Sequence, residues 1–277
     1  RDVQALNRSQ VLALQTALGN RSVIADIRVA QGALAAAQGD FSTARAHYEA
    51  AAQTYILLDT PADAAYVSAG LGEIAFYTGQ YAEAQRCYTG ALATFRQAGN
   101  RRLVGRCLGW LGRIACRQGD VAAASTLCAE ALSLRRAIGH TAGMIFSLDQ
   151  GGAELALAAG QPAAAARLLG AVERARTEHA RPREPVETQQ AQQTISRAQD
   201  LLGATEFTFC WSEGQEMALD AAAAYALDTL SPATLAHIRS GSGSTLRLFV
   251  LGRGRIYRGD RLLTSADWTY SKARELV

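Results

Sequence analysis

The sequence predicts a mainly α protein, a right-handed α-α superhelix (a solenoid of helical hairpins) with a short C-terminal β-hairpin plus helix. Three observations carry that prediction. Glycines at 39, 79, 119 and 160 follow one another at steps of 40, 40 and 41 residues. Small residues keep fixed offsets from them. Gly32, Gly72, Gly112 and Ala153 stand seven positions before, Ala44, Ala84, Ala124 and Ala165 five after, and Ala51, Ala91, Ala131 and Val172 twelve after. Near the C terminus the apolar pattern changes from helical to alternating. A fixed period of this size marks stacked repeats, each too small to bury its own apolar face.

The glycine ends one helix by supplying a positive φ and turns the chain toward the next. The next helix starts almost at once, with Asp40 and Asp120 placed as N-caps and Pro162 suited to a first turn. Alanines at matching heights let the two helices of a hairpin approach. Tyr48, Tyr88 and Leu169 then fill the space beside them.

Composition narrows the class. At 277 residues the chain is long enough for one large or two ordinary domains, and its formal charge of +3 gives no general polyanion-binding signal. It contains no apolar run of the length a membrane span needs, and residues 1–20 lack the apolar centre and cleavage pattern of a signal peptide. The five cysteines, at 87, 107, 116, 128 and 210, form no C-x-x-C pair. An odd, unframed set within helices reads as small apolar residues in a reducing, cytoplasmic setting. The chain opens on arginine and stops within an apparent helix, so it reads as part of a longer protein.

Taken in order, residues 1–19 read as the second helix of a preceding repeat, with Val11, Leu12, Leu14 and Leu18 on one face. Four hairpins follow: 22–38 with 41–58, 61–78 with 81–98, 101–118 with 121–138, and 142–159 with 162–179. Gly99-Asn100 and Gly139-His140 close the second and third. Arg-Pro-Arg-Glu-Pro at 181–185 breaks the pattern. Helices over 187–202, 204–216 and 218–228 then form a C-terminal cap within 181–228. Residues 229–244 read as a flexible linker, because Ser231-Pro232 opens it and Ser-Gly-Ser-Gly-Ser follows at 240–244.

Leu71-Gly72 with Ala84, Tyr88 and Ala91, and Leu111-Gly112 with Ala124 and Ala131, resemble the tetratricopeptide repeat (TPR). The bulky residue usual four before that glycine is Ser68 in one repeat and Leu108 in another. The period is longer than the family's usual 34, as in MalT-like regulatory arrays. This resemblance covers residues 1–180, about four and a half hairpins. The closing helices, with Ala166 to Ala171 and Phe207 to Leu227, look like the end of TPR regions that follow signal-transduction ATPase modules in large bacterial regulators.

From 245 the pattern alternates, with Leu246, Leu248 and Val250 on one face. A second strand at Ile256-Tyr257 and a helix from Ser265 follow. Leu246 to Gly252, Tyr257 to Leu263, Trp268 and Lys272 to Leu276 resemble the opening of an OmpR-like winged helix, as in SARP-type activators. Residues 245–277 would be only the N-terminal part of that domain. The helix that enters the major groove is absent, so DNA contact is expected only through the missing remainder. The exposed faces of this partial sheet also suggest pairing of two copies through the C-terminal segment. The alternative for these residues is a hairpin and helix of another small domain.

No catalytic constellation is visible. His47, His140, His179 and His237 are scattered, no phosphate loop is present, and no metal, cofactor or enzyme activity is expected. The arginines at 253, 255, 258 and 261 read as a solvated hairpin face. The candidate site is the groove lined by the first helix of each hairpin. It takes Tyr66, Glu73, Phe76 and Tyr77 from the second repeat, Arg106, Trp110, Arg113 and Arg117 from the third, and Gln150 and Glu154 from the fourth. Arginines beside an exposed aromatic favour carboxylates, phosphates and planar groups, so an anionic peptide, protein surface or effector is the expected occupant. The alternative is a charged solvent face with Trp110 packed on the neighbouring repeat. The resemblances imply a non-catalytic interaction or sensor region of a bacterial transcriptional regulator. The runner-up is a TPR scaffold controlling an attached ATPase or nucleotide cyclase.

Overall fold

A computed structural model describes residues 20–239 and three short strands beyond them. Four helical hairpins come first. They are α1 (Arg21–Ala37) with α2 (Phe41–Leu57), α3 (Pro61–Tyr77) with α4 (Tyr81–Gln97), α5 (Arg101–Arg117) with α6 (Val121–Ala137), and α7 (141–158) with α8 (Pro162–Glu178). Then come α9 (Pro185–Leu202), α10 (Ala204–Gln215), α11 (Leu219–Thr229) and α12 (Pro232–Arg239).

The turn within each hairpin is the same device four times. Gly39, Gly79, Gly119 and Gly160 have φ of 83°, 78°, 81° and 73°. The amide of the residue after each glycine donates to the carbonyl of Ala35, Ala75, Ala115 or Ala156, at 2.7 to 2.9 Å. This is a Schellman closure, which satisfies carbonyls that the helix end leaves bare. Asp40 and Asp120 cap the next helices by accepting from the Thr43 and Ala123 amides. Asn100 does the same for α5 through the Leu103 amide.

Small residues are where the helices touch. Ala44, Ala84, Ala124 and Ala165 are fully buried. A Cβ at Gly32 would lie 3.0 Å from the Tyr48 ring, and one at Gly72 would lie 3.0 Å from the Tyr88 ring. At Gly112 it would lie 2.6 Å from Cys128 Sγ. In the first three hairpins the glycine seven positions before the turn therefore makes room for the side chain nine after the turn, Tyr48, Tyr88 or Cys128. Ion pairs stitch successive hairpins together, with Arg45–Glu83 at 3.1 Å, Arg106–Glu73 at 2.8 Å and Arg96–Glu130 at 2.9 Å. The first helices of neighbouring hairpins approach one another more closely than the second helices do, so they form the inner face.

The fourth hairpin departs from the pattern. Its first helix is not regular. A π-helical segment, Ser147–Gly152, interrupts it between Thr141–Phe146 and Ala153–Ala158. This helix is one residue longer than the 17-residue first helices of the other hairpins. The 41-residue step is the same extra residue, taken up as a wider turn. The widening turns Asp149 and Gln150 inward, where both are buried.

The closing helices do more than cap. α10 packs on α8 with backbones in contact, because a Cβ at Gly170 or Gly214 would fall on the carbonyl of Trp211 or Arg167. α11 returns to the third hairpin, where Arg136 grips Asp220 through bonds of 2.6 and 2.7 Å and Ser125 donates to the Leu230 carbonyl. α9 turns instead to the inner face. Arg176 and Arg183 both bind Asp149, and Arg176 also binds Glu187, which anchors the entry to α9. Residues 232–239, expected to belong to the linker at 229–244, are helical. Ser231 caps them by accepting from the Thr234 amide, and Leu235 is buried. Pro232 opens a helix rather than a linker, because its fixed φ suits a first helical turn.

β1 (Leu246–Phe249), β2 (Arg255–Arg258) and β3 (Arg261–Leu262) pair antiparallel in that order, with Leu246 opposite Arg258 and Tyr257 opposite Leu262. The helix expected at 1–19, the flexible linker residues expected at 240–244 and the helix expected from Ser265 lie outside the described residues. Among the described residues no helix is long and apolar enough to cross a membrane.

Candidate functional site on the inner face

The structure divides the expected groove residues into two groups. Arg113, Arg117, Gln150 and Glu154 are occupied by the chain itself. Arg113 is 0 % exposed. Its guanidinium lies 4.5 Å from the ring centres of both Phe76 and Trp110. Its Nη2 donates to the side-chain oxygens of Gln150 at 3.1 Å and Gln190 at 2.6 Å, and Glu154 stands 3.5 Å from its Nε. Arg117 pairs with the same Glu154 and also donates to Gln190. Gln190 belongs to α9, so α9 occupies this end of the inner face. Burial alone would lower the Arg113 pKa, but Glu154, Tyr77 and Glu73 together outweigh it and hold the group above its ordinary value.

Of the two readings of Trp110, exposed beside these arginines or packed on the neighbouring repeat, the structure has the packed one. The indole is 2 % exposed. Its ring stacks on Tyr88 at 5.6 Å and meets the edges of Phe76 at 5.2 Å and Tyr77 at 5.7 Å. Phe146 of the fourth hairpin adds a further ring contact at 5.6 Å, and ring contacts across three hairpins bury more apolar area than a solvent-facing indole could. Burial pushes the Tyr77 hydroxyl up to about 12. Arg113 and Trp110 are therefore part of the core.

The second group, Tyr66, Glu73 and Arg106, borders an open cavity of about 220 Å³ between the second, third and fourth hairpins. Tyr66 is 38 % exposed, and the Arg106 guanidinium lies over its ring at 5.4 Å. Glu73 neutralises Arg106 at 2.8 Å. Burial works to lower the Arg106 pKa, but Glu73 raises it well above its ordinary value. Trp110 adds to the wall, and the rest comes from residues outside the expected groove, notably Arg102, Arg135, His140 and Phe146.

Arg135 sits sixteen positions after a turn glycine. The equivalent positions hold Tyr55 and Phe95 in the first two hairpins and Arg176 in the fourth. All four are buried. A core position thus changes from aromatic to arginine halfway along the array, which the repeat register would have exposed. Glycines make room for it. A Cβ at Gly105 or Gly109 would lie 3.3 Å from the Arg135 side chain, and one at Gly143 would lie 2.9 Å from it. Gly105 and Gly109 stand where Ala65 and Ala69 stand one repeat earlier, and each costs its helix up to about 1 kcal/mol relative to alanine.

Among the described residues no group of three or more His, Cys, Asp or Glu stands where it could share a metal ion. All five cysteines are free thiols. Burial pushes Cys107 up to about 11 and Cys128 up to about 12, so both stay protonated near neutral pH.

This geometry defines a helical-hairpin repeat array with an inner face partly open and partly self-occupied. A family model described as tetratricopeptide repeat matches residues 62–137, which are the second and third hairpins almost entire. Those residues are a TPR region, a class of repeat that generally binds protein partners and is typically non-catalytic. No curated protein matches the chain.

Proposed function

We propose that this chain is the partner-sensing region of a bacterial transcriptional regulator, working in the cytoplasm. The hairpin array docks a protein on its inner face. The result passes to a winged helix begun in residues 245–277, and only the remainder of that domain meets DNA. The observation that carries the reading is the division of the inner face. One half is open at Tyr66 and Arg106, and the other is held by α9 through Gln190. A segment of the same chain seated on a binding face supplies the two-state element that a sensor needs. The antiparallel order of β1, β2 and β3 supports the proposed opening sheet of the output domain, and its edges would pair two copies.

The test is fluorescence anisotropy of labelled DNA at two salt concentrations, comparing this chain with one that carries a complete C-terminal winged helix. Binding by the longer chain alone, weakening steeply with salt, is the expected outcome. Absence of binding by both leaves the TPR region as a docking scaffold and removes the transcriptional role.

A further inference from the structure

The position sixteen after the turn glycine carries two buried arginines, and they differ in one respect. Arg176 is matched by Asp149 at 2.8 Å and Glu187 at 3.1 Å. Arg135 is 3 % exposed and, among the described residues, pairs with no carboxylate. Its Nη1 donates to the Gly143 carbonyl at 2.9 Å and to Ser147 Oγ at 2.5 Å. Its Nε is buried without a partner, and Phe146 lies 5.6 Å from the guanidinium. A buried guanidinium without a counter-charge is unfavourable, and the helices give up three side chains at Gly105, Gly109 and Gly143 to seat it. A stable core would place an aromatic there, as the first two hairpins do.

What Arg135 lines is the 220 Å³ cavity. Arg102 stands exposed at its rim with no ion-pair partner among the described residues. The Nδ1 of His140, in the same wall, is also buried and unpartnered. Against these stands one acid, Glu73, already committed to Arg106. Tyr66, Trp110 and Phe146 supply flat apolar walls. The volume falls below the ~300–1,000 Å³ of sites that hold drug-sized ligands, so the occupant is small.

We propose that this cavity is a binding site for a small organic anion, a carboxylate or phosphate carried on a flat apolar body. The anion supplies the counter-charge that Arg135 and Arg102 lack, and the aromatic walls hold the ring. The inference stands apart from the protein-docking reading. It needs only the cavity and its two unmatched arginines. Burial, with Arg106 nearby, pulls the Arg135 pKa down to about 10, which still leaves it charged at neutral pH.

Calorimetric titration of the full chain tests it with benzoate, phenyl phosphate, inorganic phosphate and neutral benzyl alcohol. Saturable binding of benzoate or phenyl phosphate is expected, and benzyl alcohol should give none. Arg135→Met should fold at least as stably as the parent, because methionine suits a buried site and no charge remains unpaired. It should lose affinity by about tenfold or more. Arg102→Gln, at the exposed rim, should weaken binding by a similar factor of about ten without touching the core, and it decides the matter if Arg135→Met fails to fold. No binding by either aromatic anion at about 10 mM would overturn the site. So would unchanged affinity in Arg102→Gln, or in a folded Arg135→Met. Equal affinity for inorganic phosphate would overturn the ring-bearing class of ligand.

Discussion

His140 occupies a position that the hairpin repeat uses for a helix start and the cavity uses for a wall. Burial first, then the positive charges of Arg135, Arg102 and Arg181, lowers its pKa below the ordinary 6.5. The folded state therefore favours neutral imidazole. As pH falls from 6.5 toward the lowered value, the unfolded chain takes up the proton first, and stability is lost. Asp40 acts in the same direction at lower pH. Its bonds from Thr43 and Ser42 lower its pKa below 3.8, so the stability of its cap is lost as pH falls through that lowered value. The urea midpoint of the parent should drop between pH 7.5 and 5.5. In His140→Gln it should drop less, and an identical drop would remove His140 as the cause. At this scale the sequence was legible for the turn glycines, caps and alanines, whose roles are set by backbone conformation and volume. It was not legible for Arg113. A charged residue on a helix face looks solvated until the neighbouring helix is known.

The element that most rewards attention is α7. The extra residue in the fourth repeat appears in the sequence as a step of 41 and in the structure as the π segment Ser147–Gly152. That wider turn places Asp149 against Arg176 and Arg183, Gln150 against Arg113, and Ser147 against Arg135. Deleting Gly151 should restore a 17-residue α-helix and leave far-UV circular dichroism nearly unchanged. It should also rotate Asp149 and Gln150 relative to their partners, parting the fully buried Asp149 carboxylate from Arg176 and Arg183, at a cost of roughly 3 kcal/mol or more. A urea midpoint equal to the parent's would show that the wider turn has no such role. The spacing alone announced the insertion. Only the packing could say that the helix absorbs it rather than the loop.

Across the whole molecule, stability is distributed unevenly. α8 runs through the largest apolar cluster, and every residue from 163 to 172 is buried. α9 has three buried residues and is held chiefly by polar contacts through Gln190, Glu187 and the Asp149 network. Local opening follows such differences in buried apolar area. Native-state hydrogen exchange should therefore show α9 amides exchanging by a local opening, well before those of α8. Uniform protection across both helices would mean that α9 is no separate element and that the inner face does not open by its release.

The sequence by itself determined the repeat, its period, the helix boundaries to within a residue or two at most ends, and the mainly α class. These follow from local rules: a positive φ ends a helix, a small side chain permits close approach, and an apolar stripe seeks a partner. Tertiary structure decided which groove residues stay open, that α9 fills one half of the inner face, that Trp110 is core, and that Arg135 lies buried without a counter-charge. Those outcomes depend on which surfaces meet across several hairpins. No pattern local to one repeat encodes a contact made 77 residues away, as between Arg113 and Gln190.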